Sequence, residues 1–221
     1  MNAAAPARLQ PAVRIKALGR VDYEPAAEAM RVFTAQRAAD TPDELWVLEH
    51  PPVYTLGLGA DASHGPNYSL HAEAAAIPIV RVERGGEITY HGPGQVVVYT
   101  LVDLARRNLK VRGFVQLLEQ AVIDVLATHG VSGARRSGAP GVYVEGAKVA
   151  ALGIRVSRGC AFHGLALNVD MELSPFAAIN PCGMPGLPVT RTRDLGVAHG
   201  PAELGAQLAA RIAQLLEQPH A

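Results

Sequence analysis

The sequence predicts an α/β domain in which a mixed β-sheet is flanked by helices, and three observations lead there. The apolar run Gln95 to Leu101, with Val96, Val97, Val98 and Tyr99 in it, lacks polar alternation and reads as a central strand buried on both faces. The stretches Glu24 to Asp40, Arg112 to Thr128 and Pro201 to Leu216 carry apolar residues at helical spacing. Short apolar runs bounded by glycine and proline lie between them, as strands should. A chain of 221 residues suits one core. Residues 1–12 are therefore expected to be a flexible tail and 13–221 a single domain.

In chain order, Val13 to Leu18 alternates weakly and reads as a first strand. The first helix pattern follows, with Pro25 suited to its opening turn. Leu45 to Glu49 is a short apolar strand, broken at His50-Pro51-Pro52 before Val53 to Leu56 resumes. Gly57 to Leu70 reads as a surface loop, with His64 and His71 as solvated histidines near it. Ile77 to Val82 is a further strand. The second helix ends before Gly130, a fitting stop. Val142-Tyr143-Val144 and Lys148 to Val156 form a hairpin turning at Glu145-Gly146. Ala161 to Val169 is a strand interrupted by Gly164, which suggests a bulge or the close approach of a ligand to the backbone. Ser174 opens a short helix toward Ile179, and the last helix places Leu204, Leu208, Ile212 and Leu215 on one side.

Twenty basic and twenty acidic residues leave no net charge, so there is no electrostatic footprint of nucleic-acid or membrane binding. The densest basic cluster, Arg106, Arg107, Lys110 and Arg112, is either a solvated face or a dock for an acidic protein. The N-terminus lacks the apolar core of a signal peptide, and no apolar run is long enough to span a bilayer. Two cysteines, Cys160 and Cys182, are too few for a disulfide framework and suit a reducing compartment, so the expected location is the cytoplasm.

One stretch is built like a pocket wall: Arg84-Gly85-Gly86-Glu87-Ile88-Thr89-Tyr90-His91, followed by Gly92-Pro93-Gly94-Gln95. Adjacent glycines allow close approach of a ligand to the backbone, and Glu87 to Tyr90 alternates as a short strand. Arg84, Thr89 and His91 are expected at the rim of the core sheet. On pattern alone the glycines equally serve two hairpins, with His91 a satisfied turn residue.

Of the two thiols, Cys160 shares a strand with His163, but residues three apart face opposite ways, which argues against a joint site. Cys182 has the better setting. Its turn is bounded by Pro181 and Gly183, and backbone N–H groups there can hold an oxyanion. A thiol with a reference pKa of about 8.5 needs a base or a cation beside it. His91 and His163 are candidates, and so is Lys148, a lone lysine in an apolar hairpin. Lys148 also fits an edge charge that discourages aggregation. A lysine in apolar surroundings gives up its proton more readily, and a Lys/Cys pair then supports a thiolate beside an ammonium. No pair among His50, His91, His163 and the cysteines has metal-ligand spacing, so no metal is expected.

Four blocks of this sequence resemble the octanoyl-acyl carrier protein:protein N-octanoyltransferases of lipoate biosynthesis. They are Arg84 to Gln95, Gly146 to Arg155, Phe162 to Val169 and Ile179-Asn180-Pro181-Cys182-Gly183, in the family's order. The resemblance implies a fold like the catalytic domain of biotin and lipoate protein ligases. It implies that Cys182 carries the acyl group as a thioester and that Lys148 acts as base. Substrate contacts are implied at Arg84, Gly85, Gly86, Glu87, Ile88, Thr89, Tyr90 and His91, at Ala151, Leu152 and Gly153, and at Gly164, Leu165 and Ala166. Met184 to Arg193 follows no family pattern that can be carried over.

The implied donor is octanoyl-acyl carrier protein, with the acyl group on its phosphopantetheine. The implied acceptors are lipoyl domains of 2-oxoacid dehydrogenases and the glycine cleavage H protein. No cofactor of the enzyme's own and no ATP are implied, and the protein is expected to be a monomer. An apolar wall from Ile88, Leu152 and Leu165 would take the acyl tail. The rival readings are an ATP-dependent lipoate or biotin ligase, whose Gly-Gly-Gly acyl-adenylate motif is missing here, a cysteine hydrolase using a Cys182/His91 dyad, and a non-catalytic acyl-binding module.

Overall fold

In a computed structural model of the chain, the structure is described for residues 12–60, 76–179 and 186–220. Most of the expected tail, most of the 57–70 loop with His64 and the neighbouring His71, and Cys182 lie outside these residues. The chain runs through β1 (Arg14–Arg20), α1 (Tyr23–Gln36), β2 (Glu44–Glu49), β3 (Val53–Leu56), β4 (Ile79–Arg81) and β5 (Ile88–His91). It continues through β6 (Gln95–Asp103), α2 (Val111–Thr128), β7 (Ala134–Arg135), β8 (Gly141–Val144), β9 (Ala147–Ser157) and β10 (Cys160–Asn168). The short α3 (Ser174–Ala177), a 3-10 turn (Thr192–Leu195) and α4 (Pro201–Glu217) complete it.

The main sheet has seven strands in the order β1-β2-β6-β10-β9-β8-β7, with β1 parallel to β2 and the other pairs antiparallel. It is mixed, as expected. The two faces of β6 serve two cores. Val96, Val98 and Val102 pack with α2 and α4 on one side, whereas Val97, Tyr99 and Leu101 pack with Ala26 and Met30 of α1 on the other. A strand buried on both faces needs an apolar residue at every position, which accounts for the unbroken run. Among the described residues, no helix is long and apolar enough to cross a membrane.

Three expectations change. Arg84, Thr89 and His91 do not lie at the rim of the main sheet, because β5 belongs to a second, three-stranded sheet, β4-β3-β5, with its own core of Tyr54, Leu56, Ile88, Tyr90 and Phe176. Arg84 and His91 are consequently buried. Next, α1 stops at Gln36 and not near Asp40, since Arg37 takes an extended backbone, and its guanidinium donates to Asp43 Oδ1 at 2.6 Å and to the Leu101 carbonyl at 3.0 Å. Finally, the basic cluster is not one surface patch. Arg106 and Arg107 turn inward onto the same Asp43, at 2.6 and 2.7 Å, and only Lys110 and Arg112 stay exposed.

Candidate active site

The small sheet, with α3 beside it, lies over one part of the main sheet's α1-side face, and a cleft of about 740 Å³, solvent mouth included, runs between them. A β-bulge decides what its floor is made of. Val142 pairs with Ala150 and Tyr143 with Lys148, so Val149 is an extra residue in β9 and the alternation slips by one. Val149, Ala150, Leu152 and Ile154 pack into the helix-side core, which leaves Lys148 on the cleft face with Ala151 and Gly153. Across on β10, Ala166 pairs with Ala151 and Gly164 with Gly153. Two successive pairs of small residues make a trough in the sheet, bordered by Val97 and Tyr99 of β6.

The expected acyl wall changes accordingly. Ile88 faces the cleft from β5, but Leu152 and Leu165, although they border it, belong with their side chains to the helix-side core. Gly164 also has a structural cause for being glycine, because a Cβ there would collide with the Val98 carbonyl of the neighbouring strand. A bulge or the approach of a ligand was expected there, and the close neighbour is instead the β6 backbone, with no shift of register.

The roof is Gly86, Glu87, Ile88, Thr89 and His91. Arg84 holds it down. Its Nη2 donates to the Thr55 carbonyl at 2.8 Å and to Thr55 Oγ1 at 2.7 Å, while Nη1 donates to the Gly85 carbonyl at 2.9 Å. The Gly85 N–H donates to the Ile154 carbonyl at 3.0 Å, and a Cβ on Gly153 would come within 2.9 Å of the Gly85 carbonyl oxygen. The loop is thus sealed onto β9 at that end of the trough. Gly85 and Tyr90 do not line the cleft: Gly85 makes this seal, and Tyr90 packs edge-on against Phe176 in the small core.

Lys148 is only 3% exposed. Its Nζ donates to the Pro140 carbonyl at 3.1 Å and lies 5.2 Å from the centre of the Tyr143 ring. The backbone of Lys148 is tied to the segment beyond residue 186: Lys148 N–H donates to the Pro188 carbonyl at 2.8 Å, and Thr190 N–H donates to the Lys148 carbonyl at 2.9 Å. Val189 between them lines the cleft, as does Phe176 on the other flank of 180–185. The chain on both sides of Cys182 therefore meets the cleft that holds Lys148.

Cys160 is elsewhere. It opposes Asp103 at the far end of β10, where burial and then the Asp103 charge push its thiol up, away from the reactive thiolate.

Several cleft residues were not singled out as substrate contacts in the sequence: Tyr23, Val97, Tyr99, His163, Asn168, Phe176 and Val189. Asn168 completes a polar chain. His91 Nδ1–H donates to Gln95 Oε1 at 2.7 Å, Gln95 Nε2 donates to Asn168 Oδ1 at 3.0 Å, and Asn168 Nδ2 donates to the Thr190 carbonyl at 3.0 Å. It links roof, floor and the 188–190 segment beside Lys148. At the other end, His50 Nδ1–H donates to the Val21 carbonyl and Nε2 accepts from the Tyr99 hydroxyl, both at 2.7 Å. Tyr23 stands beside this pair at the same end of the cleft, and burial pushes its hydroxyl up to about 12.

Comparison with known proteins identifies the family. Residues 22–213 match the lipoyl protein ligase A/B catalytic domain. Over 203 residues the chain is 60% identical to the octanoyltransferase of Thiobacillus denitrificans, covering 89% of this chain and 90% of that protein. The chain belongs to the octanoyltransferases. It is a transferase enzyme with the ligase fold: lipoate-protein ligase A bound with ATP superposes with a TM-score of 0.77 at 14% identity, over 93% of this chain and 86% of that one. Biotin protein ligase from Aquifex aeolicus superposes with a TM-score of 0.57 at 12% identity, over 92% and 70%.

The octanoyltransferase carries its buried histidines neutral, with a consequence for stability. Burial first, then the charges of His50 and Arg84 among others, lowers His91 to about 3; burial and then Arg84 lower His163 to about 3 as well. An unfolded chain takes up protons at both near pH 6.5, so between that value and about 3 it binds more protons than the folded one, and stability falls as pH falls. At pH 5 each histidine is expected to cost about 1–2 kcal/mol. Thermal unfolding between pH 7.5 and 5 checks this: Tm should drop, and drop less in His91→Gln.

Proposed function

We propose that the enzyme moves an octanoyl group from a carrier-protein thioester to a lysine of a lipoyl domain, with Cys182 as the temporary carrier and Lys148 as its base. The reading is supported above all by one observation: buried Lys148 projects into a trough whose mouth is flanked by the chain on either side of Cys182.

Proton transfer from Cys182 to the Lys148 amine gives a thiolate beside an ammonium. The thiolate attacks the donor thioester carbonyl, the carrier's carbon–sulfur bond breaks, and the departing thiolate takes the Lys148 proton. The acceptor amine then attacks the acyl-enzyme and gives its proton to Lys148, while the Cys182 thiolate leaves. This regenerates the starting pair. A thioester becomes an amide, so the sequence of steps consumes no nucleotide and calls on no metal. Arg84 acts by holding the roof, and the small Ala151–Ala166 pair gives the acyl chain its room, while Gly153 admits the Gly85 carbonyl of the roof.

The rivals fare less well. The ligase likeness is at 14% identity or below in the superposed structures named above and speaks for fold alone, while 60% identity to an octanoyltransferase speaks for acyl transfer. A Cys182/His91 hydrolase needs a serviceable base, and His91 at about 3, donating to Gln95, is a weak one.

Intact mass spectrometry after mixing with octanoyl-acyl carrier protein, without ATP, tests the proposal. The wild type should gain one octanoyl mass, Cys182→Ser should not, and added lipoyl domain should remove the mass and acquire it. Turnover that requires ATP, or free octanoate in place of acylated lipoyl domain, would sink it.

A further inference from the structure

We propose that Tyr23 and His163 form the end wall of the acyl trough and set the length of chain the enzyme accepts. The inference rests on the reading that an acyl chain lies in the trough. Both side chains also line a second cavity, of about 890 Å³ with its solvent mouth, which lies between α1 and β4 and is open to water; Ala27, Leu58 and Val80 line it together with the charged Glu24, Arg31 and Glu83. Two rings thus stand between two spaces.

The measure of the trough follows from register. The Lys148 Cε and Nζ lie 2.9 and 3.2 Å from where a Cβ of Gly141 would be, and Gly141 pairs with Ala151, so the amine is level with Ala151. His163 pairs with Ile154, three residues further along β9, or about 10 Å at about 3.3 Å per residue. An extended octanoyl chain measures about 9 Å from carbonyl to methyl, given carbon–carbon bonds of about 1.5 Å. An eight-carbon chain started beside the amine reaches the wall, and a longer one meets it.

His163 is held there against its own preference. Its φ of 61° lies in the left-handed region, its Nδ1 is buried with no hydrogen-bond partner among the described residues, and Thr100 Oγ1 donates to its carbonyl at 3.0 Å where the β6 ladder is interrupted. Strain of this kind persists where the surroundings impose it and is concentrated at functional positions.

Glycine takes that backbone without strain, so His163→Gly should fold and join the two cavities. The measurement is the rate of Cys182 acylation by carrier-protein thioesters of eight, ten, twelve and fourteen carbons, read by intact mass. The twelve-to-eight-carbon ratio should rise at least about tenfold, since the added carbons pass the wall beside Ala27, Leu58 and Val80 and each methylene in apolar contact contributes about fourfold, so that two of the four suffice. Tyr23→Ala opens the wall from the helix side and should shift the ratio the same way. Adding Ala27→Phe to His163→Gly fills the second cavity and should return the limit. An acylated variant with an unchanged ratio, or a double variant that keeps the longer range, overturns the proposal. A wild type acylated by no chain of any length overturns the parent reading instead.

Discussion

Lys148→Met should lower octanoyl transfer to a lipoyl domain by about 10²–10⁴-fold, the usual worth of a positioned acid–base group. Methionine keeps most of the buried volume but has neither charge nor exchangeable proton, so thiolate formation and deprotonation of the acceptor amine both lose their partner. Lys148→Arg divides these roles. A guanidinium still favours a thiolate by its charge but does not accept a proton. The arginine variant should therefore form acyl-enzyme faster than the methionine variant and then stall, and octanoyl-Cys182 should accumulate in intact mass spectra. Full turnover in Lys148→Arg would refute the base role while leaving the acyl-cysteine standing. Folding is checked separately, because either change disturbs the 3.1 Å hydrogen bond to the Pro140 carbonyl, and a buried acceptor left unpaired costs about 1–3 kcal/mol. A loss of rate without a matching loss of Tm assigns the effect to chemistry.

How much of this was legible in the sequence depends on whether the signal is local. The glycines at 85, 86, 153 and 164 announce tight backbone approach wherever they occur, and they do sit around the cleft. Their partners were not legible: Gly153 meets the Gly85 carbonyl, and Gly164 the Val98 carbonyl. Strand alternation counted from Leu152 would put Lys148 on the helix side, and only the extra residue Val149, visible in pairing and not in composition, turns it toward the cleft. Tyr23 opens a helix and His163 interrupts a strand, and neither position carries a local mark of its role at the trough's end. Arg84 was legible as part of a ligand-binding block, but its hydrogen bonds to Thr55 show a roof pin, a role that depends on a residue twenty-nine positions away. The fold class was easier to read, because a run such as Val96 to Leu101 states burial on two faces by itself. The separate three-stranded sheet has no such statement, since β4 is three residues long and β3 and β5 four each.

The basic cluster failed for the same reason, and its resolution supplies the largest expected effect on stability. Asp43→Ala should destabilise the protein by about 3–5 kcal/mol, the cost of leaving a buried ion pair without its partner, which is about 6–20 °C in Tm for a chain of this size. Asp43 is fully buried and receives Arg37, Arg106 and Arg107, together with the Asp103 N–H at 2.9 Å. Arg37 brings the end of α1, Asp103 the end of β6, and Arg106 the turn that follows it. Arg107 also donates to the Leu216 carbonyl at 3.2 Å and so draws in the end of α4. Removing one carboxylate leaves three guanidinium groups facing one another, two of them almost wholly buried. Asp43→Asn keeps the volume and one acceptor oxygen but no charge, so it should fall between alanine and wild type. Chemical denaturation of the three proteins gives the order. If Asp43→Ala unfolds at the wild-type midpoint, the arginines find water or other acceptors without cost, and the cluster does not hold these elements together. Because Asp43 lies outside the cleft, acyl-enzyme formation by the folded fraction should be unchanged in both variants. That separates this cluster from Lys148, whose loss removes the chemistry and leaves most of the fold.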